Sequence, residues 1–150
     1  MKTELIKLFA NVNVRIVSGK PSLYKPILIL YALGQCHLKN KRLMSFKIID
    51  TELSDIFKQF FPDELYNNFH YSFGRLEKDG IWEVINSENL KHSSSGDLIR
   101  SELINSNVVG GFTKIIYDTL IIDKNLIKEV CNYILDKYID KSIHSELLSS

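Results

Sequence analysis

Cysteine is nearly absent from this chain. Cys36 and Cys131 are the only two, each inside a stretch that reads as helix, so a disulfide framework and a cysteine-built metal site are both unexpected and the thiols are read as buried and reduced. Long apolar runs are missing as well. The longest, Ile27 to Leu33, is far short of the roughly 20 residues that span a membrane. The N-terminus carries Glu4, Lys7 and Arg15 within its apolar pattern, unlike a signal peptide. A cytoplasmic chain without a membrane partner is the expectation. Catalytic signatures are lacking too: no GxSxG, P-loop, HExxH or CxxC pair occurs, and His37, His70, His92 and His144 are scattered without metal spacing. The acids are dispersed rather than clustered as a metal-dependent nuclease requires. The chain by itself therefore reads as no enzyme, with no cofactor and no metal.

With 150 residues, 45% of them hydrophobic and 25% charged, the composition is that of one soluble globular domain. Its net charge of +1 hides a segregation. Between Leu5 and Ile49 there is no Asp or Glu, and Lys7, Arg15, Lys20, Lys25, Lys39, Lys41, Arg42 and Lys47 give that third a charge of +8. Residues 50–150 carry ten Lys and Arg against seventeen Asp and Glu, a balance of −7. Such division steers a polyanion to one face without a high pI, although a solvated surface would show the same run.

Leu5, Leu8, Phe9, Val12 and Ile16 recur at helical spacing and predict a helix over residues 3–16, broken by Ser18 to Ser22. Pro26 suits the first turn of a second helix, which is apolar on every side from Ile27 to Leu33 and should lie buried at the centre. Tyr24 and Lys25 then stand at a helix start that favours an anion, with Lys20 nearby. A basic turn at Lys39 to Arg42 leads to a short strand near Leu43 to Phe46. Ile49, Leu53, Ile56, Phe57 and Phe60 mark a third helix with a core-facing aromatic stripe, ended by Pro62. Residues 62–70, with Asp63, Asn67, Asn68 and His70, read as a connecting loop. The polar segment from Asn86 to Asp97, with Lys91, His92, Ser93, Ser94, Ser95 and Gly96, reads as a flexible loop, equally a wing or a linker. A short helix over Leu98 to Ile104, stopped by Gly110 and Gly111, precedes another over Phe112 to Leu120. Asp123 is placed to cap a last helix whose Leu126, Val130, Ile134 and Tyr138 share one face. The domain is expected to span residues 1–140, with 141–150 as a polar tail or the start of a linker.

The stretch from His70 to Val84 is densest in special residues. It holds Tyr71, Ser72, Phe73, Gly74 and Arg75, then the Asp79-Gly80 turn, then an alternating run through Trp82, the only tryptophan, that predicts a strand. A flat aromatic surface beside a fixed cation suits a phosphate, a base or an unusual anion. Ile81, Trp82 and Val84 read as the buried strand that holds the segment, and Tyr71 to Arg75 as its exposed working edge. The fold class that follows is mainly α with a small β-hairpin, a compact, winged-helix-like domain.

Four ordered blocks carry a family resemblance. The run Leu23-Tyr24-Lys25-Pro26-Ile27-Leu28-Ile29-Leu30-Tyr31-Ala32-Leu33-Gly34, the aromatic block from Tyr71 to Glu83, Ser95-Gly96-Asp97 with Ser101-Glu102-Leu103 and Gly110-Gly111-Phe112, and Ser142-Ile143-His144 are together similar to sulfur-binding domains, which recognise phosphorothioate-modified DNA. The resemblance implies a mostly helical reader of double-stranded DNA, commonly fused to an HNH nuclease in restriction enzymes. Carried over by position, it implies a sulfur pocket from Tyr71, Ser72, Phe73 and Gly74. It further implies DNA contacts from Tyr24, Lys25 and Arg75, with Lys20 beside them, and from the loop after Val84 through Lys91 or His92 and the serines Ser93, Ser94 and Ser95. Ser72 departs from the proline usual in that block. Two other readings fit the residues: a protein-interaction domain whose basic face meets an acidic partner, and a winged-helix-like binder of unmodified DNA.

Overall fold

The computed structural model describes residues 2–64 and 68–148. In chain order the elements are α1 (Lys2–Ala10), a hairpin of β1 (Ile16–Val17) and β2 (Lys20–Pro21), α2 (Tyr24–His37), β3 (Met44–Ser45), α3 (Phe46–Phe60), α4 (Phe69–Arg75), a 3-10 turn (Leu76–Asp79), β4 (Trp82–Val84), α5 (Arg100–Asn105), β5 (Val109–Phe112), α6 (Lys114–Ile121), α7 (Lys124–Tyr138) and α8 (His144–Leu148). Helix dominates and the sheets are small, as the apolar periodicity predicts.

Helix α2 is the axis. Pro26, Ile27, Leu28, Ile29, Ala32, Leu33 and Cys36 are all buried, so the helix is covered on almost every side by α7 and α4. Burial alone pushes the Cys36 thiol up to about 12, which leaves it an inert packing group. A three-stranded antiparallel sheet in the order β3-β5-β4 closes the other flank. Edge-to-face rings link the two: Phe46 meets Phe73 at 5.0 Å, Phe73 meets Trp82 at 5.8 Å, Trp82 meets Phe112 at 5.7 Å and Phe112 meets Phe9 at 5.6 Å. Arg42 ties the sheet's edge by donating to Glu83 Oε1 at 2.6 Å and to the Phe112 carbonyl at 3.0 Å. That cation of the basic third therefore serves the fold.

Several boundaries differ from the sequence reading. Helix α1 stops at Ala10, and the β-branched run after it turns into the hairpin; Ser18 and Gly19 occupy its positive-φ corner. The hairpin thus lies where a simple break was expected. Gly110 and Gly111 do not end a helix but sit mid-strand in β5. A Cβ at Gly111 would lie 2.0 Å from the Arg42 carbonyl oxygen, and one at Gly110 would lie 2.7 Å from Phe73 Cζ, so close strand approach requires both glycines. The connecting loop expected over 62–70 already becomes α4 at Phe69, and its residues 65–67, Asn67 among them, lie outside the described residues. Asp123 does cap α7, accepting from the Leu126 amide at 3.0 Å. Residues 141–148 form a 3-10 turn and α8, with Ile143 and Leu147 against the core.

Candidate nucleic-acid interface

The aromatic block is helical: residues 69–75 form α4. Asn68, Tyr71, Ser72, Arg75 and Asp79 recur at the three- and four-residue spacing of one helix face, and together with Lys78 they line an open hollow of about 820 Å³. The opposite stripe, Phe69, Phe73 and Leu76, is fully buried. Phe73, expected in the pocket, is therefore core: its ring is enclosed by Phe46, Trp82 and Gly110. Gly74 stands just behind the hollow, where a Cβ would meet Leu98 Cδ1 at 3.0 Å.

The remaining walls come from the β-hairpin and the start of α2. Val14, Arg15 and Val17 approach from one side, and Ser22, Tyr24 and Lys25 from the other. Tyr24 stacks on Phe57 at 5.2 Å and meets Phe69 edge-on at 5.0 Å. Burial, with Glu64 adding to it, raises its hydroxyl pKa and keeps it a neutral phenol. Tyr71 is the exposed ring, 37% accessible. The Arg75 guanidinium covers one face of it, 4.8 Å from the ring centre.

Two of the expected cations are engaged internally. Arg75 donates from Nε and Nη2 to the two oxygens of Asp97, both at 2.8 Å. This fork holds the Asp97 carboxyl below its ordinary range and Arg75 above its own. Lys25 donates to Asp79 Oδ2 at 2.7 Å and to the Asn13 carbonyl at 2.8 Å, while Asp79 Oδ1 accepts from the Asn13 amide at 3.0 Å. With side-chain exposures of only 13% and 7%, Lys25 and Asp79 form a staple between α2, the hairpin's approach and the 3-10 turn. Arg15 and Lys78, which the sequence reading did not select, line the same hollow, are exposed, and make no ion pair among the described residues.

The serine loop is a hydrogen-bonded turn. His92 bridges Leu98, the Ser93 amide donates to the Asp97 carbonyl at 2.8 Å, Gly96 takes a positive φ, and the Ser93 and Ser95 hydroxyls bond each other and Asp97. Asp97 in turn clips this closed turn to α4 through Arg75. Of the loop, Ser95 reaches the hollow; Lys91, His92, Ser93 and Ser94 do not line it, nor does Lys20 on β2. A larger apolar groove of about 980 Å³ between α2, α3 and α7 shares no lining residue with the hollow.

Fold and hollow define a small helical binding domain with an aromatic, cation-rimmed recess. The chain belongs to the ScoMcrA-like DNA sulfur-binding domain family, whose model matches residues 2–150. Its fold is similar to that of the sulfur-binding domain of ScoMcrA complexed with phosphorothioated DNA, at 20% identity and a TM-score of 0.84, covering 95% of this chain and 97% of that one. It is similar also to the sulfur-binding domain of SprMcrA in the same kind of complex, at 17% identity and a TM-score of 0.78, covering 99% of this chain and 96% of that one. The type IV phosphorothioation-dependent restriction endonuclease ScoMcrA contains the same fold at 18% identity and a TM-score of 0.81, where 95% of this chain covers 28% of that one. No curated protein matches the chain.

Proposed function

We propose that this domain reads phosphorothioate linkages in double-stranded DNA and acts as the targeting module of a restriction system whose nuclease, of the HNH type, is a separate domain or partner. The observation that carries the reading is the aromatic, cation-rimmed hollow in a chain of the sulfur-binding family. Sulfur in place of a non-bridging oxygen is larger, more polarisable and less well hydrated, so contact with an aromatic wall favours it. Tyr71 is the wall that does this, with Gly74 and Phe73 as its backing. By analogy with other apolar pockets the preference is about 10- to 200-fold.

The linkage and its neighbours stay anionic, and the charges that meet them are those not already neutralised in the fold. Arg15 and Lys78 fill that role, with Lys20, Lys91 and His92 as outlying contacts along the duplex and Ser93 to Ser95 as donors to base edges. Lys25 and Arg75 act from beneath, holding the hairpin and the serine turn around the recess. Binding of Tyr71→Ala to modified and unmodified duplexes of one sequence tests the pocket. The ratio of the two affinities should fall towards one; an unchanged ratio would remove Tyr71 from sulfur recognition.

A further inference from the structure

One hydroxyl of the hollow stands out. Ser72 is 6% exposed and lines the recess together with Tyr71, Arg75 and Asp97. Its hydroxyl makes no hydrogen bond with any described residue. Two other helical hydroxyls of this chain turn back on their own helix: Thr51 donates to the Lys47 carbonyl at 3.0 Å and Thr119 to the Ile115 carbonyl at 2.7 Å, each four residues back. Ser72 stands in the same relation to Asn68 yet does not turn back to it. A hydroxyl that lines the recess without a partner in the fold is free to bond whatever enters the site.

We infer that Ser72 sets how strictly this hollow prefers sulfur, because its hydroxyl donates to the non-bridging atom seated there and does so more strongly to oxygen. The inference rests on the phosphorothioate reading. An O–H bond to a phosphoryl oxygen is short and charge-assisted, whereas sulfur is the larger and weaker acceptor. The aromatic wall favours sulfur and the hydroxyl favours oxygen, so the two oppose each other. Affinity for ordinary phosphate is raised and the sulfur-to-oxygen ratio is smaller than the wall alone would give. No cation of the site duplicates this role, since a charge attracts either linkage.

The test is a set of binding isotherms for the full chain, wild type and Ser72→Ala, on one duplex sequence with and without a phosphorothioate linkage at fixed salt. Ser72→Ala should weaken the unmodified duplex about three- to tenfold, the loss expected for one charge-assisted hydrogen bond shared with solvent. The modified duplex should change by less than about twofold, so the ratio rises. Ser72→Cys, of nearly the same size but with a weak donor, should move the ratio the same way. Thermal unfolding of both variants should match or exceed the wild type, since no internal hydrogen bond is lost. Equal weakening of both duplexes, or no change in either, overturns the inference while leaving a sulfur-preferring wild type intact. A wild type without preference in which Ser72→Ala creates one upholds the inference and overturns the sulfur-selective reading. No preference in either protein overturns both.

Discussion

Lys25 and Arg75 show how a residue type can be right and its role different. On sequence both are cations beside an aromatic block, and a DNA contact is the natural assignment. In the fold each faces an aspartate, and breaking such a pair leaves a desolvated charge. Lys25→Ala strands Asp79 at 7% side-chain exposure, and we expect it to lower unfolding free energy by about 3 kcal/mol, measured by denaturant titration. Arg15→Ala and Lys78→Ala should leave that titration unchanged. Each should instead reduce the slope of log affinity against log salt by about 1, equally for modified and unmodified duplexes. His70 adds a pH dependence. Burial, and then Arg100, lower its pKa below the ordinary 6.5, and its Nδ1 is enclosed without a partner. The unfolded chain therefore binds the proton more readily, so stability is full above 6.5 and is lost as pH falls from there towards the lowered value. Urea midpoints against pH should show this slope in the wild type and lose it in His70→Gln.

At the scale of elements, what was legible depended on how local the determinant is. The central helix, the Asp123 cap and the buried face of α3 at Ile49, Leu53 and Phe57 follow from spacing and side-chain chemistry within a few residues, and the sequence reading places all three, although Phe60 of the expected stripe is only partly buried and lies outside the core. The sequence reading gives Tyr71 to Arg75 no element of its own, because the helical signal, the Asn68, Tyr71, Ser72, Arg75 spacing, runs over only eight residues. The serine turn reads as flexible from composition, since Asp97's fork to Arg75 is a tertiary contact. The sequence reading places short strands near Leu43 to Phe46 and through Trp82, which are β3 and β4, but misses β5 between them, because its glycines are explained only by tertiary neighbours, Phe73 against Gly110 and the Arg42 carbonyl against Gly111. Gly111→Ala should accordingly cost about 2 kcal/mol or more, read as a lowered Tm, because the atom in the way is a backbone carbonyl that cannot swing aside. Gly34→Ala, where an added Cβ would meet nothing within 4 Å, is the matched control and should be neutral or slightly stabilising.

Across the whole molecule, the charge division noted in the sequence acquires a geometry. Of the eight cations between Leu5 and Ile49, Arg15 and Lys25 line the hollow, Arg42 locks the sheet, and the others lie away from the recess. The basic third therefore acts partly as scaffold and partly as one wall of the recess, whose lining comes about equally from it and from the acidic two-thirds of the chain. The hollow and the apolar groove between α2, α3 and α7 share no residue. The central claim is that the recess distinguishes one atom of a DNA backbone. It is tested most directly by paired isotherms of the wild-type chain on a single duplex sequence, with and without one phosphorothioate linkage, at the same salt concentration. The account predicts tighter binding of the modified duplex, with both affinities falling in parallel as salt rises; equal affinities for the two duplexes would contradict it.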